Sequence, residues 1–112
     1  MLKGVIIKES LRDENILDEV TIDSAEIWQT EDTPRYWTAI HFSTEDVTFP
    51  KKLSKVMDKN WFCDMKYGSK IKVLVFRGRV MQYTIGNEIE KAAVLKYCKK
   101  IGIPPEQMNW DE

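Results

Sequence analysis

The chain has 112 residues, enough for a single domain that removes about two-thirds of its unfolded surface from water. A formal charge of −1 and a pI near 5.9 predict only weak non-specific attraction to nucleic acid. The two cysteines, Cys63 and Cys98, are too far apart for a disulfide scaffold or a zinc ribbon. The apolar run at residues 4–7 is too short for a signal peptide or a membrane span. We therefore expect one soluble, cytoplasmic domain covering residues 1–112 that does not contact membranes.

The first half of the sequence predicts three strands and a short helical segment. Residues 4–9 are rich in Val and Ile, which favours an opening strand. The S-x-x-D spacing of residues 10–13 is typical of a capping box and predicts one or two helical turns. Two acidic residues make residues 21–29 a poor strand, best placed at a sheet edge. Residues 36–43 alternate with a period of two and predict another strand.

The second half predicts two helices around the most apolar and aromatic run of the chain. A helix is expected to begin after Thr48, because the proline that follows is tolerated in a first helical turn. Residues 61–85 predict two or three strands separated by glycine-containing turns. Residues 71–76 are apolar on both faces, as in a strand that is covered on two sides. Residues 88–101 predict the second helix, and Gly102 is placed to end it.

This order of elements predicts an α+β domain. Short connections favour a mostly antiparallel sheet of five to six strands, with the two main helices on one face. From residue 35 onward, the order β-α-β-β-α is similar to part of a ferredoxin-like fold. After the second helix, Met108 and Trp110 are expected to pack back on the domain. The apolar row of the second helix consists of Ile89, Ala93, Tyr97 and Ile101.

Charge is segregated along the chain. Residues 1–49 carry four basic and eleven acidic side chains, a net charge of −7. Residues 50–80 carry nine basic and two acidic side chains, a net charge of +7, and the remainder carries −1. This pattern has three explanations: a polyanionic partner, a head-to-tail protein contact, or neutralisation between two halves of one domain.

Several short motifs resemble a family of small, uncharacterised archaeal and bacterial proteins. They are E-S-L at residues 9–11, the segment 37–41, W-F-C-D at residues 61–64 and the G-I-P segment at residues 102–107. The chain departs from the family at several positions, including Phe62, where the family has tyrosine. The resemblance implies a shared fold and a cytoplasmic origin, and it implies no activity because the family has none assigned.

An enzymatic function would rest on Glu9, His41 and Asp64, which lie within or at the end of predicted strands. A carboxylate buried there needs a partner, and a cross-strand pair with Lys72 is the favoured role of Asp64. A strand histidine is more often hydrogen-bonded near the surface than catalytic. The histidine and the two cysteines lack metal-ligand spacing, and the isolated glycines form no phosphate-binding or dinucleotide-binding pattern. We therefore expect no metal and no cofactor.

Basic and aromatic side chains alternate along residues 61–80, as in sheets that bind RNA or single-stranded DNA, although the RNP1 pattern is missing. We favour a non-catalytic binding module that self-associates through a sheet edge or an uncovered face of its sheet. Nucleic-acid binding and catalysis are the alternatives. The predicted contact residues are Trp61, Phe62, Asp64, Lys66, Lys72, Phe76, Arg77 and Arg79.

Overall fold

A computed structural model describes residues 1–31 and 34–112, which form a six-stranded sheet with helices on both faces. This confirms the α+β class and the antiparallel sheet. Among the described residues, no helix has the length and hydrophobicity to cross a membrane. The strands are β1 (Leu2–Ile7), β2 (Thr21–Gln29), β3 (Tyr36–Thr44), β4 (Phe62–Tyr67), β5 (Ile71–Phe76) and β6 (Arg79–Thr84). The helices are α1 (Phe49–Ser54) and α2 (Glu88–Lys100), with 3-10 turns at Lys8–Ser10, Glu14–Glu19 and Pro105–Gln107.

The strand order is β2-β3-β1-β4-β5-β6, and every neighbouring pair is antiparallel. Because β1 lies between β3 and β4, these two strands are parallel to each other. α1 connects them and completes a split βαβ unit. The similarity to a ferredoxin-like fold is limited to this unit. β5 pairs on the outer side of β4 and continues the sheet to β6.

The two helices lie on opposite faces of the sheet, so their predicted placement on one face is wrong. On β5, Val73 and Val75 join the core cluster that contains α1 residues, whereas Leu74 and Phe76 join the cluster that contains α2 residues. Successive side chains of a strand point to opposite faces. A strand that is apolar on both faces needs cover on both, and one helix supplies each side. We call these the α1 face and the α2 face.

The C-terminus of α2 has the predicted stop signal. Gly102 has a φ of 87°, a conformation that glycine adopts without steric penalty. The main-chain N–H of Ile103 donates to the carbonyl of Cys98 at 3.0 Å, and that of Gly102 donates to Lys99 at 3.2 Å. These two bonds form a Schellman motif. The motif turns the chain back toward the sheet.

The residues that α2 buries against the sheet are not those of its predicted apolar row. Ile89 is 86 % exposed, and Ala93 is also exposed. Val94 and Cys98 are the fully buried residues of the helix, with Tyr97 partly buried beside them. The helix is therefore rotated from the orientation that its row of larger side chains indicates.

The N-terminal turns are capped differently from the predicted box. The Ser10 hydroxyl donates back to the carbonyl of Ile7 at 2.6 Å. Asp13 is the residue that caps Glu14–Glu19, since its carboxylate accepts from the N–H of Asn15 at 3.0 Å. The short helical segment itself is confirmed.

β2 lies at one edge of the sheet, as predicted, and all nine of its residues are exposed. The register with β3 shifts between Ile22 and Ser24, which marks a β-bulge. β6 forms the opposite edge. The acidic half of the sequence supplies the three strands at the β2 side, and the basic half supplies β4 and β5.

Candidate functional site

The last five residues, 108–112, form a tail that lies across the α2 face. Met108 and Trp110 pack against the core cluster under α2, which confirms their predicted contact with the domain. The indole N–H of Trp110 donates to the Tyr83 hydroxyl at 2.8 Å. Lys66 donates to the main-chain oxygen of Glu112 at 2.8 Å. Strands β4 and β6 therefore hold the tail by polar as well as apolar contacts.

An ion pair lies beneath the tail. The Lys72 ammonium is 2.7 Å from Oδ2 of Asp64, and the two side chains are 4 % and 26 % exposed. Lys72 also donates to the main-chain oxygen of Asp111. Asp64 is opposite Leu74 in the register, so the pair is diagonal across β4 and β5. The predicted partner of Asp64 is thus present, and the tail covers the lysine.

Tyr83 and Glu112 form the outer part of the same polar cluster. The Tyr83 hydroxyl donates to the Glu112 carboxylate, which also lies 3.2 Å from the Lys91 ammonium. Burial, followed by this hydrogen bond, raises the pKa of Tyr83 from 10.0 to about 12, while the same bond lowers the pKa of Glu112. The contribution of Tyr83 to stability is present below pH 10 and is lost as the pH rises toward 12. The contribution of Glu112 is lost as the pH falls through its lowered pKa.

A cavity of about 250 Å³ lies beside the tail, and all four tryptophans of the chain line it. Trp28 and Trp37 are directly opposite each other on β2 and β3. The rings of Trp37 and Trp61 are 5.0 Å apart and inclined by 59°. Trp110 closes the side nearest the tail. We call this the tryptophan cavity; its remaining lining residues are Val5, Ile7, Phe62, Asp64, Glu106, Gln107 and Asn109.

Both charged side chains that line the tryptophan cavity are acidic, and one of them, Asp64, is paired with Lys72. Asp64 and Glu106 contribute carboxylates, and no lysine, arginine or histidine is found among its described lining residues. Val5 and Ile7 of β1 form an apolar floor. Indole faces attract cations through their quadrupole, and nearby carboxylates add to that attraction. The cavity is therefore suited to a positively charged group with apolar substituents.

The three candidate catalytic residues are not brought together. The Glu9 carboxylate accepts from the main-chain N–H of Thr38 at 2.6 Å and from its hydroxyl at 3.0 Å, so it holds the turn after β1 against β3. His41 is bonded to Glu26 at 2.9 Å, and this bond lowers the pKa of Glu26. His41 and Asp64 share the α2 face with Val5 between them, a separation of about 10 Å from strand spacing.

The predicted contact residues do not form one surface. Trp61, Phe62 and Asp64 line the tryptophan cavity. Phe76 is 1 % exposed in the core, so it cannot stack on a base. Lys72 is buried in its ion pair, and Lys66 binds the tail. Arg77 and Arg79 lie at the turn from β5 to β6. The guanidinium carbon of Arg79 is 4.5 Å from the centre of the Tyr97 ring.

Among the aromatic and charged residues of the cavity, four were absent from the predicted site: Trp28, Trp37, Glu106 and Trp110. Two of them have a signal in the sequence. Trp28 and Trp37 are placed so that a hairpin closing between them sets them opposite each other on the same face. The positions of Glu106 and Trp110 depend on where the chain docks after α2, for which no periodic pattern exists.

The structure offers little support for metal or thiol chemistry. In residues 1–31 and 34–112, no three His, Cys, Asp or Glu side chains converge as a metal site. Cys63 and Cys98 are free and buried. Burial raises the pKa of the Cys63 thiol well above its usual range and that of Cys98 to about 11. Both thiols are therefore protonated and weakly nucleophilic at neutral pH.

Comparison with known proteins gives no match to a family model, to a curated protein or to a solved structure. The resemblance in short motifs stays a prediction. In the fold, two of those motifs have clear positions: Glu9 holds the turn after β1, and the segment 61–64 leads into β4 beside the tryptophan cavity.

Proposed function

We propose that this protein is a binding module that takes an alkylated ammonium group in the tryptophan cavity. The observation that carries the proposal is the convergence of all four tryptophans and two carboxylates on one cavity whose described lining contains no cation. Aromatic rings of this kind recognise quaternary ammonium groups by cation–π attraction. At about 250 Å³ the cavity is smaller than the pockets that enclose whole drug-sized ligands, so it takes one head group or side-chain tip.

Each part of the tryptophan cavity has a role in this binding. The alkyl groups contact the indole faces and the floor formed by Val5 and Ile7. Glu106 supplies a counter-charge from the lining, while Asp64, whose charge is offset by Lys72 at 2.7 Å, presents a carboxylate of fixed orientation. Trp110, which belongs to the tail, is held at the site by its bond to Tyr83 of β6. The described lining contains no serine, cysteine or histidine, which favours binding over nucleophilic catalysis.

Titration with choline, monitored by tryptophan fluorescence, tests the proposal. Because every tryptophan lines the cavity, the whole emission reports on this site. Several cation–π contacts of about 1 kcal/mol each correspond to a dissociation constant in the low millimolar range. The neutral analogue 3,3-dimethylbutan-1-ol has the same shape without the charge and should bind much more weakly. Equal binding of the two compounds would show that the cavity recognises the shape of the ligand and not its charge.

Two aromatic residues of the β2–β3 hairpin give a matched pair of variants. Trp28 is 38 % exposed and lines the cavity, whereas Tyr36 is 56 % exposed on the other face of the same hairpin. Trp28→Ala is expected to weaken choline binding about tenfold, the loss of roughly one strong ring contact. Tyr36→Ala should leave binding unchanged. If both variants bind alike, the cavity is not the choline site.

Self-association through β2 is a second candidate function. All nine residues of this edge strand are exposed, and Ile27 and Ile22 are 65 % and 50 % exposed. Pairing of two β2 strands would cover these side chains and the unpaired main-chain groups. Light scattering should then give the mass of a dimer, and Ile27→Lys should shift it to that of a monomer. A monomer at high micromolar concentration would exclude this candidate.

We also propose that the module works in the cytoplasm. The support is chemical: both cysteines are free and buried, as expected for a protein kept in a reducing compartment. Nucleic acid is the alternative partner, and binding of labelled poly(U) tests it.

A further inference from the structure

A second concave surface lies on the α1 face, at the edge of the sheet opposite the hairpin that carries Trp28. It is a groove of about 870 Å³ between α1 and strands β5 and β6. Its floor is formed by Ile71, Val73 and Val80, and its wall by Pro50 and the lysines of α1. The N–H of Gly78 donates to the carbonyl of Ser54 at 2.9 Å and ties the end of α1 to the β5–β6 turn. We call this surface the basic groove.

The charges of the basic groove are opposite to those of the tryptophan cavity. Its described lining contains Lys51 and Lys55 and no acidic residue; Arg79 also lines it, but the guanidinium of Arg79 lies over the Tyr97 ring of α2. Lys51 lies in α1 and Lys55 is the helical C-cap residue that follows it; the two are four residues apart and exposed, so they lie on one side of the helix. Their neighbour Lys52 is engaged elsewhere, 2.9 Å from Asp46. The groove lies mostly within the segment 50–80, whose net charge is +7.

The outer edge of β6 beside the basic groove has no strand paired to it among the described residues, although the N–H of Thr84 at its end donates to Glu90 at 2.8 Å. β6 is the last strand of the sheet and pairs only with β5 among the described strands. An edge strand can accept an added strand, whose main-chain bonds give affinity while alternate side chains enter the neighbouring pocket. Val80 and Gln82 of β6 both line the groove, so an added strand would direct every second side chain over the same floor.

We propose that the basic groove binds an extended acidic segment of a partner protein by strand addition to β6. Apolar side chains of the segment occupy the floor near Val73 and Val80, and carboxylates between them meet Lys51 and Lys55. Single-stranded nucleic acid is the less favoured polyanion, since Tyr67 is the one aromatic residue in the described lining and base stacking needs more than one such platform.

A labelled synthetic peptide that repeats valine–threonine–glutamate–threonine tests this proposal by fluorescence anisotropy. As an extended strand it places valine and glutamate alternately on one side. We expect it to bind at low salt and more weakly at moderate salt. The same peptide with lysine in place of glutamate should not bind. Absence of binding by the glutamate peptide, or binding of labelled poly(U) in its place, would overturn the proposal.

Charge reversal on the two helices supplies the matched variants. Lys51→Glu/Lys55→Glu is expected to weaken binding of the glutamate peptide at least tenfold, because two attractive contacts become repulsive. Lys96→Glu/Lys100→Glu makes the same change at the same spacing on exposed residues of α2 and should leave binding unchanged. Equal losses in both variants would show general charge attraction and contradict a site at the groove.

Amide hydrogen exchange locates the added strand. With the glutamate peptide bound, main-chain amides of β6 should become more protected, while those of β2 at the opposite edge should not change. Protection confined to β2 would place the peptide at the wrong edge and refute strand addition to β6. This readout does not depend on the ligand of the tryptophan cavity.

Discussion

Asp64→Ala is expected to lower the free energy of unfolding by about 3–5 kcal/mol, because it leaves a buried ammonium without its carboxylate. The Lys72 side chain is 4 % exposed and has Asp64 at 2.7 Å as its charged partner. After the substitution, the ammonium still donates to the main-chain oxygen of Asp111, which is an uncharged acceptor. Urea unfolding followed by circular dichroism measures the loss.

The partner substitution Lys72→Met provides the control. It replaces the buried cation with an apolar side chain of similar length and leaves Asp64, which is 26 % exposed and can still reach water. We expect a loss of about 1–2 kcal/mol, smaller than that of Asp64→Ala. The double variant Asp64→Ala/Lys72→Met should recover most of the stability. A larger loss for Lys72→Met than for Asp64→Ala would contradict this account of the pair.

Gly4→Ala is expected to destabilise the protein by about 2–3 kcal/mol, which lowers the melting temperature by about 10 °C. An added Cβ at Gly4 would lie 2.5 Å from the main-chain oxygen of Asp64 and 2.6 Å from Cβ of Met65. Both atoms belong to β4 and cannot rotate away, so β1 and β4 must move apart. Thermal unfolding monitored by circular dichroism checks the size of the effect.

Gly102→Ala separates this packing effect from backbone strain. Apart from its two chain neighbours, no described residue has an atom within 4 Å of an added Cβ at Gly102, but its φ of 87° strains any other residue, at a cost of about 1–2 kcal/mol. Amide exchange should therefore accelerate in β1 and β4 for Gly4→Ala and near the end of α2 for Gly102→Ala. Unchanged exchange in β1 and β4 would mean that the sheet accommodates the extra methyl group.

Local patterns predict most of the secondary structure of this chain. The alternation in residues 36–43 marks β3, the glycine-containing turns separate β4, β5 and β6, and Gly102 ends α2. These features depend on neighbouring residues, so the sequence contains them directly. The sides on which the helices pack are not local. The apolar residues on both faces of residues 71–76 indicate that both sides of the sheet are covered by helices. The short connections, taken alone, favour both helices on one side.

The candidate site was harder to predict because it is assembled from distant segments. Asp64 and Lys72 were identified because they lie on neighbouring strands of one hairpin unit. Trp28 and Trp37 reach the same cavity through the β2–β3 pairing, and Trp110 reaches it through the tail. The orientation of α2 also depends on a distant segment, because the position of the sheet decides which side of the helix is buried. The sheet lies on the side of Val94, although Ile89 is the larger apolar side chain.

The central position of β1 also has a consequence for the order of folding. β2–β3 and β4–β5–β6 are each built from consecutive strands, whereas β1 pairs with strands that begin at Tyr36 and at Phe62. Closing such long loops costs entropy and slows folding. The two consecutive-strand units are therefore expected to form early and to dock when β1 inserts between them. The earliest strand in the chain is then among the last to gain its partners, and the insertion of β1 sets the folding rate.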